Sequence, residues 1–161
     1  MKNLKTYTQL FESDIHSSIL YKNTDYFFKI IDNPDIDINE VNLSTNTALI
    51  IAAMNGIPKI VKKLIEKGAN LDIQNREGFT ALIAAAKEYH QVKKEKRKKD
   101  FLDIIKMLIE AGADWNIEYL SYKKSDFLMY FNKYEEDELI ELYPNEHKNY
   151  LKKQQMNRFN L

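Results

Sequence analysis

Two short apolar blocks recur along the chain at helical spacing. Thr47-Ala48-Leu49-Ile50-Ile51-Ala52-Ala53 returns 33 positions later as Thr80-Ala81-Leu82-Ile83-Ala84-Ala85-Ala86. Ile60, Val61 and Leu64, at i, i+1 and i+4, form one stripe of a helix, and return 44 positions later as Ile104, Ile105 and Leu108. The second copy therefore holds 11 extra residues between its two blocks. A period of this length predicts stacked helix pairs, each burying its apolar face against the next. A weaker unit lies 33 positions earlier, with Phe27, Phe28 and Ile31 in the places of Ile60, Val61 and Leu64, and Ile19 and Leu20 in those of Ala52 and Ala53. Stepping forward, Leu139, Ile140 and Tyr143 take the same parts after Ser125-Asp126-Phe127-Leu128.

Local chemistry agrees with the period. Thr47 and Thr80 stand before the apolar runs, where a hydroxyl caps free backbone N–H groups. Ala52, Ala53, Ala85 and Ala86 are small enough for neighbouring helices to approach closely. Gly68 and Gly112 follow the outer stripes and supply the left-handed residue of a helix stop. Asn75-Arg76-Glu77-Gly78 reads as a turn, and Thr45 stands where Gly78 would be one unit earlier.

These residues resemble the ankyrin repeat. Its T-P-L-H-x-A signature appears as Thr-Ala-Leu-Ile-x-Ala, without the Pro or the His, and its G-A-D-V-N segment as Gly68-Ala69-Asn70-Leu71-Asp72 and Gly112-Ala113-Asp114-Trp115-Asn116. Part of that segment also appears at Asp37-Ile38-Asn39. The resemblance implies an all-α solenoid of about four helix-turn-helix units with projecting turns. The units are expected over residues 13–37, 38–70, 71–114 and 115–144, together 13–144, with a basic insertion near 89–99 and a C-terminal capping helix over 145–161. Ile50 and Ile83, in the family's His position, are expected in the core, and Trp115 as a wedge between the third and fourth units.

The resemblance also implies a protein-binding module that uses the concave face, formed by the turn tips and inner helices. Mapped onto this chain, the contact positions are Asn46 and Phe79 in the tips, Ile51, Met54, Asn55, Lys87 and Glu88 on the inner helices, and Arg76 and Glu77 beside them. Ile51, Met54 and Phe79 fall at positions that tend to face solvent in this family, and a cluster of exposed apolar residues marks an interaction site. The other reading is that an adjacent unit or the N-terminal tail covers them.

Charge adds one feature. The chain of 161 residues has 24 basic and 24 acidic side chains, which argues against a surface committed as a whole to nucleic acid. Locally, six of the seven residues from Lys93 to Lys99 are basic: Lys93, Lys94, Lys96, Arg97, Lys98 and Lys99. This run, in the 11-residue insertion, can neutralise phosphates of RNA or DNA, hold an acidic protein, or form a solvated helical extension. Aromatic partners for base stacking are sparse there, and the acidic run Glu135-Glu136-Asp137-Glu138 could satisfy the patch in a second copy.

Residues 1–12, MKNLKTYTQLFE, fall outside the repeat. They resemble the N-terminal targeting peptides of T-even-type phage internal head proteins, which implies cleavage after Glu12 and a viral or phage setting. Tyr7, Leu10 and Phe11 equally fit a helix closing the end of the stack.

Catalysis finds little support. With no cysteine, thiol nucleophiles and disulfides are excluded. His16, His90 and His147 share no ligand spacing. Asp32, Asp35, Asp37, Asn39 and Glu40 lack the central glycine and the terminal Glu of a calcium loop. The expectation is a non-enzyme with no catalytic residue, cofactor or metal, acting in the cytoplasm on another protein, with nucleic acid as the alternative partner. It is expected as a monomer or weak homo-oligomer without membrane attachment, since its apolar runs are too short to cross a bilayer.

Overall fold

The structure, a computed structural model, describes residues 15–114 together with residue 117. The expected N-terminal tail, Trp115, the fourth unit and the C-terminal helix lie outside those residues. Within them the chain forms three helix pairs: α1 (Ile15–Leu20) with α2 (Thr24–Ile30), α3 (Ala48–Met54) with α4 (Pro58–Glu66), and α5 (Ala81–Gln91) with α6 (Glu95–Glu110). Each pair begins 33 residues after the last, so α1, α3 and α5 stack as an inner row. In that row α3 packs against α1 on one side and α5 on the other, and α4 packs against α6 in the outer row.

The helix ends follow from the residues the repeat places there. The Thr47 Oγ1 accepts from the Ile50 N–H at 3.2 Å and the Thr80 Oγ1 from the Ile83 N–H at 3.3 Å, so both inner helices are capped alike. At the outer ends Gly68 (φ 79°) and Gly112 (φ 91°) take left-handed backbone. The Ala69 N–H then reaches the Leu64 carbonyl, and the Ala113 N–H the Leu108 carbonyl, both at 3.0 Å. These paired stops satisfy carbonyls that would otherwise end unbonded.

Alanines decide how closely the inner row packs. Ala52, Ala53, Ala85 and Ala86 are fully buried, and Ile60, Val61, Leu64, Ile104, Ile105 and Leu108 fill the layer beneath them. Ile50 and Ile83 are core residues, as expected. The first unit is looser on its outer side: Phe27 is buried, but Phe28 is exposed and stands edge-on to the Phe27 ring, centroids 5.4 Å apart. Burying an aliphatic or aromatic side chain of this size contributes roughly 1.5–3 kcal/mol, so this layer dominates the stability of the stack.

The 11-residue insertion is absorbed without a new loop. α5 has 11 residues against 7 in α3, and α6 has 16 against 9 in α4. Both connectors, Asn55–Ile57 and Val92–Lys94, are three residues long. The third pair is therefore taller by four residues on one helix and seven on the other, as the lack of Gly or Pro in the run suggests. Phe101, near the base of this extension, is fully buried over Gly56.

Candidate functional site

The turn tips are built twice over from one asparagine each. Asn42 Oδ1 accepts from the Ser44 and Asn46 N–H groups at 2.9 and 3.0 Å. One unit later Asn75 Oδ1 accepts from the Glu77 and Phe79 N–H groups at 3.0 and 2.9 Å. Gly78 takes φ 84° in the second tip, and Thr45 takes φ 60° in the same register of the first. Threonine is costly in left-handed backbone, and its hydroxyl offers partial return: Thr45 Oγ1 accepts from the Arg76 N–H of the next tip. Asn75 Nδ2 also donates to Asn46 Oδ1 at 2.7 Å. Below the tips the Asn70 N–H donates to Asn39 Oδ1 at 2.8 Å, and the Asp114 N–H to Asp72 Oδ1 at 2.9 Å. The tips thus form a hydrogen-bonded ladder that runs across the units.

The expected contact residues divide sharply once placed. Arg76 and Glu77 are exposed at the second tip, while Asn46 is half-buried in the ladder. Ile51 and Phe79 are not exposed: they keep 3% and 4% of their surface. This selects the covered reading and removes both from any accessible apolar patch. The cause for Ile51 is position, since α3 has inner-row neighbours on both sides and Ala48 to Ala53 are all buried. Phe79 is roofed by Lys87, whose Nζ lies 4.4 Å from the ring centroid. Met54 is half-buried against the core, Lys87 and Glu88 are half-buried on α5, and Asn55 spends its Nδ2 on the Ile51 carbonyl at 2.9 Å.

At the tips, the large apolar residues that face solvent are Leu43, 97% exposed at the apex of the first, and Val41, 44% exposed beside it. Sequence reasoning missed both. The signal was available, because Leu43 stands 33 positions before Arg76 and so shares its place on the tip.

The six basic residues lie at the opposite end of the helix pairs. Tips precede the inner helices and outer helices return toward them, so the connectors mark the far end. Lys93 and Lys94 are exposed in the connector, and Lys96, Arg97 and Lys99 are exposed on the first turns of α6. Lys98 is half-buried with its Nζ 5.3 Å from the centroid of the Tyr89 ring. Arg97 donates to the Asn55 carbonyl at 3.4 Å and lies 5.6 Å from the Phe101 ring centroid.

The remaining candidate chemistry disperses. Asp32 pairs with Lys67 at 2.7 Å and Lys63 at 3.3 Å, and these bonds hold its carboxyl below the usual aspartate range. It therefore joins the first unit to the second and is not part of an acidic cage. His16 donates from Nε2 to the Glu40 carbonyl at 2.9 Å. Among the described residues no group of three His, Asp or Glu side chains is placed to hold a metal ion, and no helix is long and apolar enough to cross a membrane.

Comparison with known proteins agrees with the repeat. The family model for ankyrin repeats, in three copies, matches residues 15–119. The chain is 31% identical over 121 residues to ankyrin repeat and SAM domain-containing protein 6 of Mus musculus, covering 74% of this chain and 12% of that protein. It spans 4–12% of the first curated relatives it matches. A solved complex of a predatory endopeptidase from Bdellovibrio bacteriovorus with an immunity protein contains a similar chain, with TM-score 0.62 and 26% identity, covering 74% of this chain and 56% of that one. The ankyrin repeat domain of Bcl-3 shares the fold, with TM-score 0.57 and 22% identity, over 72% of this chain and 45% of that one.

Proposed function

Because the chain belongs to the ankyrin-repeat family, we propose that it is a non-enzymatic protein-interaction module that receives its partner across the turn tips and the adjoining inner helices. The observation that carries this reading is Leu43, 97% exposed on a tip whose backbone is fixed by Asn42. Arg76 and Glu77 flank it on the next tip, held in register by the Asn46–Asn75 and Thr45–Arg76 bonds. A rigid apolar point with charges around it suits a protein partner, since little ordering entropy is lost when it docks. A solved neighbour is itself part of a complex between two proteins, which supports the same class of role.

Nucleic-acid binding through Lys93 to Lys99 has weaker support. Tyr89 and Phe101, the rings packed against that run, are buried and offer bases no platform. A viral or phage setting rests on residues 1–12 and on Glu12, which lie outside the described residues. The test is photocrosslinking in a host-cell lysate, with a photoreactive residue in place of Leu43 at the tip or Lys62 on α4. A protein adduct at position 43 and none at position 62 is expected; adducts at 62 alone would refute the assignment.

A further inference from the structure

The basic run is built as a raised ledge, and its construction is more ordered than solubility requires. α5 and α6 overrun the preceding pair by four and seven residues, which is about 6 and 10 Å of helix at 1.5 Å per residue. Phe101 seats the ledge on Gly56, Arg97 reaches over the connector of the second unit to the Asn55 carbonyl, and Lys98 lies over Tyr89. Lys93, Lys94, Lys96 and Lys99 remain exposed, with Glu95 the sole acid among residues 93–99. Lys94 caps α6 without a side-chain bond, and Lys96 and Arg97 fall in its first turn. Cations at that end repel the positive pole of the helix, and an anionic partner would relieve the repulsion.

The same end of the stack carries the end of α1 and the connector that follows it, where Leu20 is 53% and Tyr21 79% exposed. At a helix spacing of about 8–10 Å these side chains sit roughly two helix widths from the ledge, or about six residues of extended chain. We propose that this end is a second docking surface, taking an acidic segment of a partner protein that carries apolar residues about six positions from its acids. A phosphate backbone suits it less well. The rings beside the ledge, Tyr89 and Phe101, are buried, and a duplex, whose bases are already stacked on one another, would leave Leu20 and Tyr21 without apolar contact.

Fluorescence anisotropy on the full chain tests this, with a labelled peptide of four Glu/Asp residues and a distal Leu pair as probe and a short DNA duplex as comparator. Replacing Lys93, Lys94, Lys96 and Lys99 together by Ser is expected to weaken peptide binding roughly tenfold, the yield of several exposed charge pairs. Tyr21→Ser is expected to weaken the peptide and leave the duplex unchanged. Circular dichroism checks the helices, and changing Lys93, Lys94, Lys96 and Lys99 together to Glu, which reverses the charge of the ledge, should give affinity for a peptide whose acids are changed to Lys. Leu43→Asp at the tips should leave peptide binding intact, which separates this surface from the proposed tip interface. Failure of the wild type to bind the peptide, unchanged affinity in the Ser variant, or tighter binding of the duplex at the same salt would overturn the proposal.

Discussion

Asn75 donates from Nδ2 to Asn46 Oδ1 at 2.7 Å, and together with the Thr45–Arg76 bond this ties the turn tip of one repeat to that of the next. The other end of the same amide shapes its own tip, accepting from the Glu77 and Phe79 N–H groups. One side chain therefore contributes both to the shape of its own tip and to the register between tips. Further bonds between units near the tips, at Asn39, Thr45 and Asp72, use one side-chain acceptor each.

Asn75→Ala should destabilise the stack by about 1–3 kcal/mol, because it strands backbone donors in a mostly buried turn. Asn75→Asp keeps the Oδ1 acceptor and replaces the donor to Asn46 by an oxygen, which Asn46 can meet by turning its amide over, so a smaller loss of about 0.5–1.5 kcal/mol is expected. Urea denaturation of the two variants checks the order, and equal losses would mean the inter-tip bond carries the whole effect.

Two glycines separate strain from crowding. Gly68 (φ +79°) has nothing within 4 Å of an added Cβ, whereas at Gly56 (φ +64°) that atom would lie 2.9 Å from Phe101 Cζ. Gly68→Ala should cost about 1–2 kcal/mol for left-handed backbone alone. Gly56→Ala should cost about 1–3 kcal/mol more for overpacking. Phe101→Leu in the Gly56→Ala background should recover part of the excess; thermal melts of the three variants decide.

Phe79 and Leu43 make opposite forecasts for apolar residues of two adjacent turn tips. Phe79→Ala should cost about 3–5 kcal/mol, the usual loss for a buried Phe. Leu43→Asp should stay within about 0.5 kcal/mol of wild type, because the side chain touches almost nothing. A destabilised Leu43→Asp protein would show that the tip is covered in solution.

Asp32 gives the fold a small acid-sensitive contact. Lys67 and Lys63 lower its pKa in the folded state, so its contribution is present above the unfolded value of about 3.9 and lost as pH falls through the folded one. Asp32→Asn should therefore be slightly less stable than wild type at pH 7, with the gap closing toward pH 3. Urea midpoints at the two pH values measure this; a gap that persists in acid would assign the effect to something other than the ion pairs.

The central units were readable from sequence because their signals are local. A Thr cap, small alanines and a helix-ending glycine each act on adjacent backbone, and Thr47, Ala52 and Gly68 behave as their types require. The taller third pair was readable for a similar reason, as nothing between Glu88 and Asp100 stops a helix, although the position of its connector had no Gly, Pro or cap to announce it. The candidate site was harder because exposure is set by distant neighbours. Ile51 is buried by helices on both sides, and Phe79 by a lysine eight residues further on. Leu43 escaped notice since a leucine suggests core, and only the alignment of one tip on the next places it in solvent.

The most direct test is quantitative affinity capture from lysate, with wild type, the tip variant Leu43→Asp with Arg76→Glu, and an outer-helix control, Lys59→Ser with Lys62→Ser, as parallel baits. A protein retained by wild type and control and lost from the tip variant is expected, all three baits having the same melting temperature. A captured set that is identical for the tip variant would contradict it and move the interface away from the turn tips.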